Sequence, residues 1–255
     1  MSILFSDELQ KGIGMNNTAV ARARSFPLVL VTSSIAKKFV MALTGLVAFG
    51  YAVGHMIGNL QIFIGQNQIN AYARALHSMG PLLWVVRGFL IICIVLHIWL
   101  GIQLRIENWA ARPDAYARKK SVKTGLSART MIWTGAIIFA FIAYHLMHFT
   151  VRSTDPRFSE ALVDSLGRFD VYSMVILGFQ NVWLSLFYMA AVGLLCFHLS
   201  HGIWSMFQSL GWNNKRSEKW LKGFAVIFAT VLFLGYISIP IAVLSGYLQL
   251  PGGAL

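Results

Sequence analysis

Acidic side chains are scarce: nine Asp and Glu stand against 21 Lys and Arg, and charged residues make up only 12% of the 255. A soluble domain carries about 25%, so half that charge leaves too little polar surface to face water, which excludes a water-soluble enzyme. Cysteine is nearly missing as well, with two residues, Cys93 and Cys196, and no CxxC pair, which excludes a disulfide scaffold and a zinc ribbon. No low-complexity tract is present, and no internal repeat is expected. A signal-peptide pattern is absent, because the first useful apolar run follows about thirty mixed residues, and the N-terminus is expected to be mature sequence. What is plentiful is apolar surface: 57% of residues are hydrophobic and 13% aromatic, which excludes disorder, and the mean hydropathy is +0.64. Such a chain belongs in a bilayer.

A helix needs about 20 apolar residues to cross one. Five stretches free of acidic residues qualify, approximately Phe39 to Ile64, Pro81 to Leu104, Met131 to Thr150, Ile176 to Phe207 and Phe224 to Leu248, taken as spans I to V. The expected fold is all-α, an integral membrane bundle of five transmembrane helices forming one domain over 1–255, with 1–34 a cytoplasmic N-terminal segment. Basic residues cluster before span I (Lys11, Arg22, Arg24, Lys37, Lys38), between II and III (from Arg105 to Arg129) and between IV and V (from Lys215 to Lys222). The positive-inside rule then puts the N-terminus in the cytoplasm and the C-terminus outside, in the cell's inner (cytoplasmic) membrane. The same basic excess suits lipid headgroups or a docked soluble partner, and nucleic acid is not expected as a partner. All nine acidic residues fall outside the expected spans, so a carboxylate relay of the kind used by proton pumps has no residues to run on.

Six of seven histidines lie within spans: His55 in I, His97 in II, His145 and His148 in III, His198 and His201 in IV. A polar side chain in hydrocarbon is costly without a partner, so six together point to a site. His55 lies seventeen residues after Lys38 and His145 sixteen after Arg129, about 25 Å into helices that enter from the cytoplasm. Both therefore sit in the outer half. Spans II and IV run the other way, which places His97, His198 and His201 toward the inner end; depth alone slightly prefers His201 as the partner of His97. Two histidines from facing helices at one level are what a haem iron takes as axial ligands. Zinc or copper would ask for three or four ligands at one depth. Gly50, Gly54 and Gly58 form a stripe beside His55, open either to close helix packing or to clearance for a planar group.

Short motifs sharpen this reading: Gly54-His55-Met56 in span I, Leu96-His97 followed by Leu100-Gly101-Ile102 in II, Tyr144-His145 in III, and His198-Leu199-Ser200-His201-Gly202-Ile203-Trp204-Ser205 in IV. In this order and spacing, from about Lys37 to about Ser245, the chain resembles the single-chain, five-helix dihaem cytochrome b membrane anchor of succinate dehydrogenase or fumarate reductase. The resemblance implies His55 with His145 as ligands of an outer haem and His97 with His198 as ligands of an inner one, His201 being the alternative at the inner site. His148 and His201 would then be hydrogen-bonded neighbours. It implies two haem b, and no CxxCH motif for covalent attachment is present. It further implies partners on the cytoplasmic face, the flavoprotein and iron-sulfur subunits of succinate dehydrogenase, and electron transfer from the iron-sulfur subunit through both haems to a membrane quinone, expected to be menaquinone.

This chain has no flavin motif, dinucleotide loop or iron-sulfur cysteine set, so succinate oxidation is expected elsewhere. For the quinone, the outer loop from Gln66 to Gly80, with Asn70, Tyr72, Arg74 and His77, and Arg87 just inside span II, offers hydrogen-bond and proton donors; His77 and Arg87 are the candidates. A cytochrome b subunit of a hydrogenase or formate dehydrogenase is the alternative within the same chemistry. A transporter is disfavoured by the missing intramembrane acids and broken helices.

Overall fold

A computed structural model describes residues 33–111 and 126–253. Lys11, Arg22, Arg24 and the basic residues from Arg112 to Lys123, which carried part of the orientation argument, lie outside the described residues. Within them are seven α-helices: α1 (Ser34–Leu60), α2 (Gln66–Ser78), α3 (Pro81–Ala110), α4 (Leu126–His145), α5 (Val171–Phe179), α6 (Val182–Ser209) and α7 (Glu218–Leu244). The only β pairing among the described residues is one isolated bridge, Val163 with Phe169. Five helical stretches are long and apolar enough to cross a membrane: Ser34–Phe63, Pro81–Ala110, Leu126–Val151, Val182–Ser209 and Glu218–Leu244. The protein is an all-helical, multi-pass membrane bundle.

Local chemistry sets the helix ends, and it corrects several expected boundaries. Span IV does not begin at Ile176. The apolar run breaks at Gln180 and Asn181, where the Asn181 side chain accepts from Leu184 N and starts α6, leaving α5 as a separate short helix. The segment Gln66 to Gly80, expected to be a loop, is largely helix α2, framed by Gly65 (φ 127°) and Gly80 (φ 55°) in backbone conformations that favour glycine. Reading for apolar runs missed α2 because it is short and polar. Spans II and V also extend further into the basic ends than expected, so Glu107 sits in the last turns of α3 and Glu218 opens α7, instead of all acids lying outside the helices. Glu107 pairs with Lys37, which is itself buried, and ties the start of α1 to the end of α3.

Helix α6 is the centre of the bundle, packing on α7, α4 and α1, while α1 also packs along α3. Met56, Val192, Cys196, Ala229 and Leu232 form one core cluster. A second gathers Ile62, Ile69, Ile176, Phe179, Tyr188 and Ile239 at the end where α2 and α5 lie. Large apolar side chains cover the exterior, among them Trp84, Trp133, Trp183 and Trp220, as a surface facing hydrocarbon requires. The α2 end is closed by a polar clamp. Fully buried Asn70 donates to Asp164 and Asp170, and Arg168 pairs with Asp164.

Candidate cofactor site: two facing histidine pairs

Four of the sequence-selected histidines meet two by two across helices. The rings of His97 on α3 and His198 on α6 stand 6.5 Å apart at 63°, and those of His55 on α1 and His145 at the end of α4 stand 5.8 Å apart at 83°. His201 instead lies against Trp204, with ring centroids 5.8 Å apart. His198, the choice of the motif, and not His201, the choice of depth, therefore faces His97.

The hydrogen bonds around the first pair determine what its rings can do. His97 Nδ1 lies 3.1 Å from the Met41 carbonyl oxygen. A carbonyl only accepts, so Nδ1 carries the proton, and Nε2 of a neutral ring keeps its lone pair. Thr44 Oγ1 stands 3.4 Å from the same nitrogen. On the other side, His198 Nδ1 meets Thr134 Oγ1 at 2.9 Å. The Thr134 hydroxyl has the Thr130 and Met131 carbonyls at 3.1 Å to donate to, so its oxygen accepts from His198. Gly45 makes room for the His97 ring, since a Cβ there would stand 3.2 Å from His97 Cε1, whereas one on Gly135 would stand 3.6 Å from His198 Cε1, an ordinary contact.

The second pair is held differently. The Asn59 side-chain amide donates to His55 Nε2 at 3.1 Å, and Tyr51 stacks on the His55 ring at 5.4 Å. His145 Nδ1 is buried among the rings of Phe141, Phe149 and Tyr188, with no hydrogen-bond partner among the described residues. An unpartnered buried nitrogen is costly and calls for an explanation. Next to it, α4 widens into a π-helical turn, Leu146–Val151, a distortion frequent at functional sites. The turn carries buried His148, whose Nδ1 meets Tyr188 Oη at 2.9 Å.

A cavity of about 580 Å³ opens beside this turn, lined among others by Tyr144, His148, Asp155, Arg157, Trp183 and Phe187. Neither His77 nor Arg87 lines it. His77 is exposed and bonds the Ala73 carbonyl of its own helix, and the Arg87 guanidinium lies 5.0 Å from the Trp84 ring centroid. The glycine stripe divides: Gly58 packs under Tyr72, while Gly50 and Gly54 have open space where a Cβ would stand.

The donor set fits haem iron. Each level offers two imidazoles, and among the described residues no group of three or more His, Cys, Asp or Glu side chains is placed to hold a bare metal ion. A porphyrin iron needs only the two axial donors.

Sequence reasoning missed Met41, Thr44, Thr134 and Asn59. It also missed the signal that would have found three of them: Met-x2-Thr-Gly-x9-His occurs at 41–55 and again at 131–145, and His-x3-Gly-Ile occurs at 97–102 and at 198–203. The expectation of no internal repeat is therefore wrong. The similarity is confined to a few buried positions, and lipid-facing residues, free to vary among apolar types, conceal it.

Residues 120–237 match the profile of a family described as Succinate dehydrogenase/Fumarate reductase transmembrane subunit. That stretch holds one histidine of each pair, His145 and His198. No curated protein and no solved structure matches the chain.

Proposed function

We propose that this chain, which matches the succinate dehydrogenase/fumarate reductase transmembrane subunit family over 120–237, is a dihaem cytochrome b anchor that carries electrons across the bilayer to a quinone. The observation that carries this reading is the pair of facing imidazole sets, 6.5 Å and 5.8 Å between centroids, contributed by four different helices. His97 and His198 would hold one haem b, and His55 and His145 the other, with Asn59 giving up the His55 nitrogen. The Met-x2-Thr-Gly-x9-His repeat extends a pattern of the matched segment to α1, which lies outside the match. Bound in this way, a b-type haem supplies reversible one-electron transfer.

The chain's own residues hold the rings of His97, His198 and His55 each in one tautomer, and the aromatic rings around His145 exclude water. Flavoprotein and iron-sulfur subunits would dock on the cytoplasmic face, at the basic end where α1 begins, with all of 1–255 forming one transmembrane domain and its C-terminus outside. Quinone would bind at the opposite end. His77, Arg87 and the cavity beside His148 all lie there, and Asp155 and Arg157 at the cavity supply polar groups within reach of water. The Arg157 guanidinium hydrogen-bonds the Asp155 carboxylate and holds its pKa below the ordinary range, so it is ionised at neutral pH.

A pyridine haemochrome assay on the purified full chain should give two b haems per polypeptide. His55→Ala or His145→Ala should remove one, and His97→Ala or His198→Ala the other, since each change leaves the iron one strong ligand. A wild-type chain with no haem, or His201→Ala losing a haem that His198→Ala retains, would overturn the assignment.

A further inference from the structure

We propose that Thr134 is a positioning residue that sets the electronic character of the iron held by His97 and His198, and that Thr44 is its weaker counterpart. The inference rests on the proposed function and goes beyond it, because it concerns side chains that would act through the histidines they contact.

Both threonines occupy the same place in the repeat, three residues after Met41 or Met131 and eleven before His55 or His145. Both are buried, and both direct their hydroxyl hydrogen to carbonyls one turn back in their own helix: Thr44 to Val40 or Met41, Thr134 to Thr130 or Met131. Each oxygen is thereby turned into an acceptor for the Nδ1–H of a histidine on the neighbouring helix. An acceptor on Nδ1 fixes the tautomer and ring orientation and makes Nε2 a stronger donor to metal. Beside Thr44, Gly45 lets the His97 ring approach the threonine's helix closely, a Cβ there standing 3.2 Å from His97 Cε1.

The two sides differ in a way that a measurement can read. His97 has the Met41 carbonyl at 3.1 Å as its main acceptor, and Thr44 adds a long contact at 3.4 Å. For His198, Thr134 at 2.9 Å is the sole hydrogen-bond partner among the described contacts. Loss of Thr44 leaves the tautomer of His97 in place. Loss of Thr134 leaves His198 Nδ1–H without an acceptor in an apolar surround. In the second pair, His145 Nδ1 has no such acceptor among the described residues.

The test compares Thr134→Val, Thr134→Ser and Thr44→Val with the wild type, as full chains in detergent, by redox titration, low-temperature electron paramagnetic resonance and the rate of haem loss to an acceptor protein. Thr134→Val should raise the midpoint potential of one haem, shift its resonance and weaken its retention about tenfold. The other haem, which reports an intact fold, should be unchanged. Thr134→Ser should restore the wild-type values, and Thr44→Val should give a smaller shift at the same haem. Wild-type potentials and resonances in Thr134→Val with both haems bound would overturn the proposal, as would equal effects at both haems. A wild-type chain without haem would overturn the proposed function instead.

Discussion

At the scale of single residues, the clearest reversal concerns Asn70, which sequence reading placed among possible quinone contacts. Its side chain is fully committed: it donates to Asp164 Oδ2 at 3.1 Å and Asp170 Oδ1 at 2.9 Å, and accepts from Tyr172 N at 3.0 Å. Burial works to raise the Asp164 carboxyl pKa, but the Arg168 guanidinium and backbone, Asn70 and Leu166 N–H outweigh it and hold that pKa well below the usual Asp range. A depressed folded pKa means that the stabilisation is present above the unfolded value, near 4, and is lost only as pH falls below it toward the folded value. Asn70→Ala should cost roughly 3 kcal/mol, because two desolvated carboxylates lose a donor. Hydrogen exchange in 66–78 should report it as faster local opening. In the wild type the same amides should stay protected down to about pH 4 and open below it, whereas Asp164→Asn should open at neutral pH and show little acid dependence. The histidines were legible in the sequence, since an imidazole in an apolar run stands out by composition alone. The threonines and Asn70 were not, because a hydroxyl or amide in a helix is commonplace until a long-range contact gives it a partner.

At the scale of elements, apolar run length revealed five spans and blurred their ends. Polar residues inside a helix's terminal turn, such as Glu107, are invisible to a hydropathy criterion when an ion pair with a buried lysine compensates them. The split between α5 and α6 was written in two residues, Gln180 and Asn181, overridden by the apolar residues on either side. If Asn181 is what starts α6, Asn181→Ala should destabilise the fold by about 1 kcal/mol while Asn181→Asp retains the cap. Thermal melting followed by circular dichroism, read with the exchange rates of the amides at 183–185, would distinguish them. Equal stability of all three chains would show that tertiary packing alone places the break.

At the scale of the whole molecule, the fold class was legible because bilayer residence leaves the coarsest of signatures, a shortage of charge. The way α1 and α4 serve two levels at once was not legible. Thr44 and His55, like Thr134 and His145, are eleven residues apart, three turns plus about 20°, so each helix shows both groups on one face about 16 Å apart. A slip of one residue would turn that face by about 100° and spoil both levels together. Only one rotational setting of each helix would therefore serve both of the proposed haems, and whichever bound first would fix that setting for the other. Loading should be cooperative: in cells starved of haem, native mass spectrometry should find empty and doubly loaded chains in excess over singly loaded ones. A binomial distribution would mean that the two levels fill independently.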